Sequence, residues 1–127
     1  MEKFDALFVD DEPDFLESIR TLFDLEGISV YIAESGEEAL KVIEKNSFGM
    51  IFTDMCMDGM TGIELARAVR ERFPSLPIYL MTGCAVSTDL AASALDAGVS
   101  DIFVKPVSLS SILFTVRSTF KSERSQY

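Results

Sequence analysis

Histidine is absent from this 127-residue chain, cysteine occurs twice, and basic residues are outnumbered, 11 against 21 acidic ones. Without histidine most transition-metal sites are excluded, and Cys56 and Cys84 are too few for a disulfide framework or a thiolate zinc cage. A hard cation held by oxygen ligands stays open. The net charge of -10 opposes direct adhesion to nucleic acid or to an anionic membrane, so any nucleic-acid target would be reached through another chain or domain. No apolar stretch approaches the roughly 20 residues that span a bilayer. The start, Met1-Glu2-Lys3-Phe4-Asp5, lacks the basic residues and long apolar run of a signal peptide, which leads us to expect a cytoplasmic location.

What the chain does have is a set of short apolar runs that each stop on a polar residue. Leu7-Phe8-Val9 stops on Asp10-Asp11, Met50-Ile51-Phe52 on Thr53-Asp54, Ile78 to Met81 on Thr82, and Ile102-Phe103-Val104 on Lys105-Pro106. These runs alternate with longer amphipathic stretches, the pattern of βα units around a parallel sheet, and we count five of each. Helices are expected from Pro13 to Gly27, after Ser35, from Gly62 to Arg72, from Thr88 to Ala97 and from about Ser108, with a further strand over Ile28 to Ala33. Capping-box sequences open the second and third helices at Ser35-Gly36-Glu37-Glu38 and Thr61-Gly62-Ile63-Glu64. Phe114 falls off the apolar stripe of the fifth helix and reads as an exposed aromatic. The fold class is therefore α/β, a doubly wound parallel sheet in one domain over residues 1–121, with a polar tail or start of a linker over 122–127.

In an open parallel sheet, ligands bind at the carboxyl ends of the strands, where loops vary without disturbing the core. Asp10, Asp11, Asp54, Thr82 and Lys105 all fall there. Any one of them has an ordinary explanation as a helix cap, a strand end or an edge-strand charge. Together they do not, because two like charges about 4 Å apart repel by about 4 kcal/mol at an effective dielectric of 20, so three carboxylates cluster sensibly only around a cation. Oxygen ligands in a partly open shell favour Mg²⁺, and the lysine supplies the positive charge that a transferred phosphoryl group needs.

With these residues in place, the chain resembles the receiver domain of two-component response regulators over residues 4 to about 120. The matching motifs are Asp10-Asp11, the run from Asp54 to Gly62, Thr82-Gly83, and Lys105-Pro106 closing Asp101-Ile102-Phe103-Val104. The resemblance implies a flavodoxin-like sheet of order 2-1-3-4-5 with five helices, and a phosphorylation-dependent signalling role. It implies that Asp54 is the phosphoacceptor and that Asp10, Asp11, Asp54 and the Cys56 backbone carbonyl hold Mg²⁺. It further implies that Thr82 and Lys105 bind the phosphoryl oxygens and that the Lys105–Pro106 peptide is cis. The implied partners are a histidine kinase or phosphotransfer protein as donor and a downstream effector, with dimerisation through the fourth helix, fifth strand and fifth helix compatible with the family.

The chain departs from the family pattern at several places. Asp58 stands where proline is usual, Thr61 where aspartate is usual, and Ile102 where an aromatic ring usually turns inward on phosphorylation. Phe103 cannot substitute for that ring, since one step along a strand reverses the face. Cys56 and Cys84 occupy the two positions that flank the phosphoryl group in the family and tune its hydrolysis; small apolar thiols there predict a long-lived phosphoryl state. A disulfide between them is a second reading, against which stands the rarity of such bonds in the cytosol and the tendency of free cysteine to be a small buried hydrophobe. Two other function classes compete. A small Mg²⁺-dependent aspartyl-phosphate phosphohydrolase would share the pocket, but Asp10-Asp11-Glu12 lacks a second aspartate at the next-but-one place, where Glu12 stands, and no cap domain is present to enclose a substrate. A flavin or nucleotide binder would need a Gly- or Ser-rich phosphate loop where Asp10-Asp11-Glu12 would instead repel phosphate.

Overall fold

The computed structural model describes residues 2–124. Elements run in the order β1 (Lys3–Phe4), β2 (Ala6–Val9), α1 (Pro13–Leu25), β3 (Val30–Ala33), α2 (Gly36–Lys45), β4 (Ser47–Phe48), β5 (Ile51–Asp54), α3 (Gly62–Arg72), β6 (Ile78–Thr82), α4 (Thr88–Asp96), β7 (Asp101–Val104) and α5 (Leu109–Arg124). Five strands form one parallel sheet in the order β3-β2-β5-β6-β7, which is 2-1-3-4-5 when only these five are counted. The sequence reading missed β1 and β4, which pair in parallel as a separate ladder, Lys3 with Ser47 and Phe4 with Phe48. Two-residue strands carry no periodicity to read; the stacked rings of Phe4 and Phe48, 5.5 Å apart, hold them together.

The register divides the apolar residues between two cores. Leu7, Val9, Ile51, Ile78 and Leu80 face α2, α3 and α4, where they meet Ala39, Ile43, Leu65, Val69 and Ala94. Ala6, Phe8, Phe52 and Met81 face α1 and α5, against Leu16, Ile19, Phe23, Ile112 and Val116. On this second face the aromatic rings run across the sheet, Phe8 on Phe52 at 4.7 Å and Phe52 on Tyr79 at 4.8 Å between centroids. Full burial of a side chain such as Phe8 or Phe52 contributes roughly 1.5–3 kcal/mol, so a few such positions outweigh the preference of any single loop.

Helix ends follow the local chemistry. Pro13 opens α1, and Gly27 ends it at φ 71°, a left-handed conformation that glycine adopts without steric penalty. The Thr61 capping box is complete: its hydroxyl accepts from the Glu64 N–H, and the Glu64 carboxylate accepts from the Thr61 N–H. Threonine thus caps α3 as an aspartate would. At Ser35 half the box forms, because the Glu38 carboxylate accepts from the Glu34 N–H instead of the cap's own. The second strand begins at Val30, two residues later than expected, and α5 continues helical through Arg124, past the expected boundary at 121. The remainder of the expected tail, 125–127, lies outside the described residues.

Candidate functional site

The parallel arrangement puts the last residues of β2, β5, β6 and β7 on one rim. Asp54 ends β5 opposite Met81, and Thr82 ends β6 opposite Val104. Two short backbone bonds lock this rim, Met55 N–H to the Met81 carbonyl and Lys105 N–H to the Thr82 carbonyl, both 2.7 Å. Asp10, Thr82 and Asp54 are buried here, which is unusual for such residues. The loop after Asp54 is pressed against the start of α3, where the Gly62 N–H donates to the Met55 carbonyl at 3.0 Å. A side chain at Gly62 would collide with the Asp54 carbonyl, so the acceptor strand and α3 approach as closely as backbones allow.

Carboxylate oxygens of Asp10, Asp11 and Asp54 lie within 4.8 Å of one another. Lys105 reaches into the cluster, its Nζ 3.0 Å from Asp10 Oδ2 and 3.3 Å from Asp54 Oδ1, with Glu12 Oε1 at 4.0 Å. Asp10 also accepts from the Glu12 N–H at 3.0 Å, which fixes its carboxylate at the start of α1. The Lys105 ammonium lies over the face of Phe15, with Nζ 5.6 Å from the ring centroid. Burial, seconded by the Asp10 charge, pushes the Asp54 carboxyl above its ordinary value even though Lys105 pulls the other way. Burial alone would lower the Lys105 ammonium, but its hydrogen bond to Asp10 and the charges of Asp10 and Asp54 prevail and raise it.

Three carboxylates against one ammonium leave two negative charges in this group, the charge of one divalent cation. The donor set is all oxygen, with Asp10 and Asp54 buried and Asp11 exposed, a half-open shell of the kind Mg²⁺ takes while keeping several waters. Cys56 sits two residues past Asp54, in the exposed loop that leaves the rim. The chemistry of the residues present therefore fits Mg²⁺.

All five rim residues expected from the sequence are brought together, and the Lys105–Pro106 peptide is cis. Thr82 Oγ1 accepts from the Cys84 N–H at 3.2 Å. Both Cys56 and Cys84 are exposed, against the general tendency of free cysteine, because each has left its strand for the rim loops. Ile102 and Phe103 are half-buried on opposite faces of β7, one packed against each core, as the alternation of a strand requires. Phe114 is 73% exposed. It borders an open groove of about 1440 Å³ at the amino-terminal ends of the strands, the side of the sheet away from Asp54. The sequence reading did not anticipate Glu12 and Phe15 as neighbours of Lys105; their place directly after the acidic pair, on the first turn of α1, is the signal that could have found them.

Comparison with known proteins agrees with this geometry. A family profile, the response regulator receiver domain, matches residues 6–117. The chain is 30% identical over 116 residues to the heme response regulator HssR of Staphylococcus aureus, covering 91% of this chain and 51% of that protein. It thus spans about half the length of the curated relatives it matches. Among solved structures it resembles a CheY-like receiver domain protein from Methanospirillum hungatei, with TM-score 0.89 and 26% identity over 100% of this chain and 99% of that one. It also resembles the response regulator TrrA of Thermotoga maritima, solved in complex with Mg²⁺-BeF, with TM-score 0.79 and 28% identity over 94% and 99% of the two chains. No described helix is long and apolar enough to cross a membrane. Rim geometry and sequence kinship lead to one conclusion: the chain belongs to the response regulator receiver domains, the phosphorylation-dependent signalling modules of two-component systems.

Proposed function

We propose that Asp54 is the residue phosphorylated, by a histidine kinase or phosphotransfer protein in the cytoplasm, and that the event is read out at the surface formed by α4, β7 and α5. The observation that carries this is a carboxylate buried at the end of a central strand, in a cluster with two others and 3.3 Å from an ammonium. An Asp54 oxygen attacks the phosphorus of a phosphohistidine in line; the P–N bond breaks and its electron pair stays on the leaving imidazole nitrogen. Asp10, Asp11, Asp54 and the Cys56 carbonyl would hold Mg²⁺, which when bound would supply positive charge to offset that on the phosphoryl oxygens. Lys105 gives up its pairing with Asp54 to pair with one phosphoryl oxygen. Thr82 already accepts from Cys84 N–H, so its own O–H is the donor it offers to another.

That donation pulls on a connected segment, since Thr82 is bonded through its hydroxyl to Cys84 and through its carbonyl to Lys105. Residues 83 to 105, which include α4 and β7, therefore respond together. Ile102 and Phe103 place this response against both cores, and Ile102 has no ring to turn, so the readout does not use an aromatic rotamer at that position. Leu95 and Val104, 78% and 50% exposed, give an effector or a second copy apolar footholds there. The module accepts and slowly loses its own phosphoryl group and turns over no separate substrate. The test is incubation with acetyl phosphate and Mg²⁺ followed by intact mass of wild type and Asp54→Ala. One phosphoryl group on wild type and none on the variant is expected; labelling of both, or of neither, refutes the assignment.

A further inference from the structure

The loop from Met55 to Thr61 contains the proposed cation-binding carbonyl of Cys56, yet it has no proline to set its backbone and turns through Gly59 at φ 80°. Its ends are fixed by the Met81 and Met55 backbone bonds described above. Its middle is held from elsewhere: Glu37, in the first turn of α2, accepts a hydrogen bond from the Met60 N–H through Oε1 at 2.9 Å, across 23 positions of sequence. The approach is close on both sides. A Cβ on Gly59 would sit 2.9 Å from Glu37 Oε1, and a Cβ on the buried Gly36 would sit 2.9 Å from Met60 Sδ.

We infer that Glu37 is a positioning residue for the cation site: by fixing Met60 it holds the loop in the conformation that presents the Cys56 carbonyl beside Asp54. The inference rests on the assignment of Mg²⁺ to Asp10, Asp11, Asp54 and Cys56. The competing explanation is that an acidic residue in a first helical turn merely complements the helix dipole. The nearness of its own backbone N–H, followed by the bond from Met60, depresses the Glu37 carboxyl below the ordinary value. A dipole role, however, affects α2 alone, and an acceptor for Met60 affects the loop. If the loop is competent to bind for only a fraction of the time, the apparent affinity falls by that fraction.

Calorimetric titration of Mg²⁺ into the metal-free protein separates these roles when applied to wild type, Glu37→Ala and Glu37→Gln. Loss of one hydrogen bond should weaken Mg²⁺ binding in Glu37→Ala by about three- to tenfold. Glu37→Gln keeps an oxygen that can accept from Met60 and should stay within about twofold of wild type, while amide exchange at Met60 rises in the alanine variant alone. Equal weakening in both variants would make the effect one of charge and overturn the inference. Unchanged affinity in both, with wild type binding normally, would overturn it too. Failure of wild type to bind Mg²⁺ would overturn the cation assignment and this inference with it.

Discussion

Replacing Asp54 with asparagine should make the metal-free protein more stable. At an effective dielectric of 20 the Lys105 ammonium, 3.3 Å away, attracts the Asp54 carboxylate by about 5 kcal/mol, and the Asp10 carboxylate, with an oxygen within 4.8 Å, repels it by about 3.5 kcal/mol. The exposed Asp11 adds a smaller, screened repulsion. These Coulomb terms come close to cancelling, so the decisive contribution is burial of a charge, and burial is also the largest influence raising the Asp54 carboxyl. An amide of the same shape removes that penalty. We expect Asp54→Asn to gain about 1 to 2 kcal/mol at neutral pH, which for a domain of this size raises the melting temperature by about 4 to 8 °C.

The pH dependence carries a definite sign. A carboxyl whose folded value is raised binds its proton more tightly in the native state, so its unfavourable contribution is absent below the unfolded value of about 3.9 and grows as pH rises through the raised folded value. The gap between variant and wild type should therefore widen across that window and then level off. Thermal melts in chelator at several pH values measure it directly. Added Mg²⁺ should stabilise wild type more than the variant and shrink the gap, because only wild type keeps all three carboxylates for the ion. A variant that melts no higher than wild type in chelator, or a gap that narrows as pH rises, would refute the reasoning.

Three further outcomes follow from the same geometry. A phosphoryl mimic such as beryllofluoride with Mg²⁺ should shift amide resonances from 83 to 105 in wild type and fewer of them in Thr82→Ala; unchanged wild-type spectra would sink the coupling through Thr82. The phosphorylated protein should hold its group for minutes or longer at neutral pH with Mg²⁺, since neither Cys56 nor Cys84 orients an attacking water well; complete loss within seconds contradicts this. Arg70 donates to the Phe73 and Gly98 carbonyls, 2.9 and 2.5 Å away, and so ties the end of α3 to the turn after α4. Arg70→Ala should cost about 1 to 2 kcal/mol in urea denaturation, and a change below about 0.5 kcal/mol would show that the tie carries little load.

Strand ends were legible in the sequence because a parallel sheet needs unbroken apolar runs and then lets polar residues take over at the rim. Asp10, Asp54, Thr82 and Lys105 mark that change of solvent, and the structure joins them with strand ends no more than two residues from those expected. Helix starts at Pro13, Gly62 and Thr88 were equally local, since a helix start is set by the few residues around it. What the sequence did not show is what depends on partners far along the chain. The β1–β4 ladder joins residues 44 apart, Glu37 reaches Met60, and Phe15 borders Lys105, and none of these pairs leaves a periodic trace. Exposure of the two cysteines, against the usual tendency of that residue type, has a related reason. Residue type predicts burial only where the backbone passes through a core, and both thiols sit in loops above it.

The sheet has two open margins, β3 and β7, and the β7 margin is four residues long, begins on Asp101 and is followed at once by Lys105 and Pro106. A charge at each end and a residue without an N–H leave little length on which a foreign strand could pair. With a net charge of -10 around it, this border resists sheet-to-sheet adhesion even though nearly half the chain is apolar. Such a module can be strung beside other domains, or kept at high concentration among its own copies, without its sheet recruiting theirs.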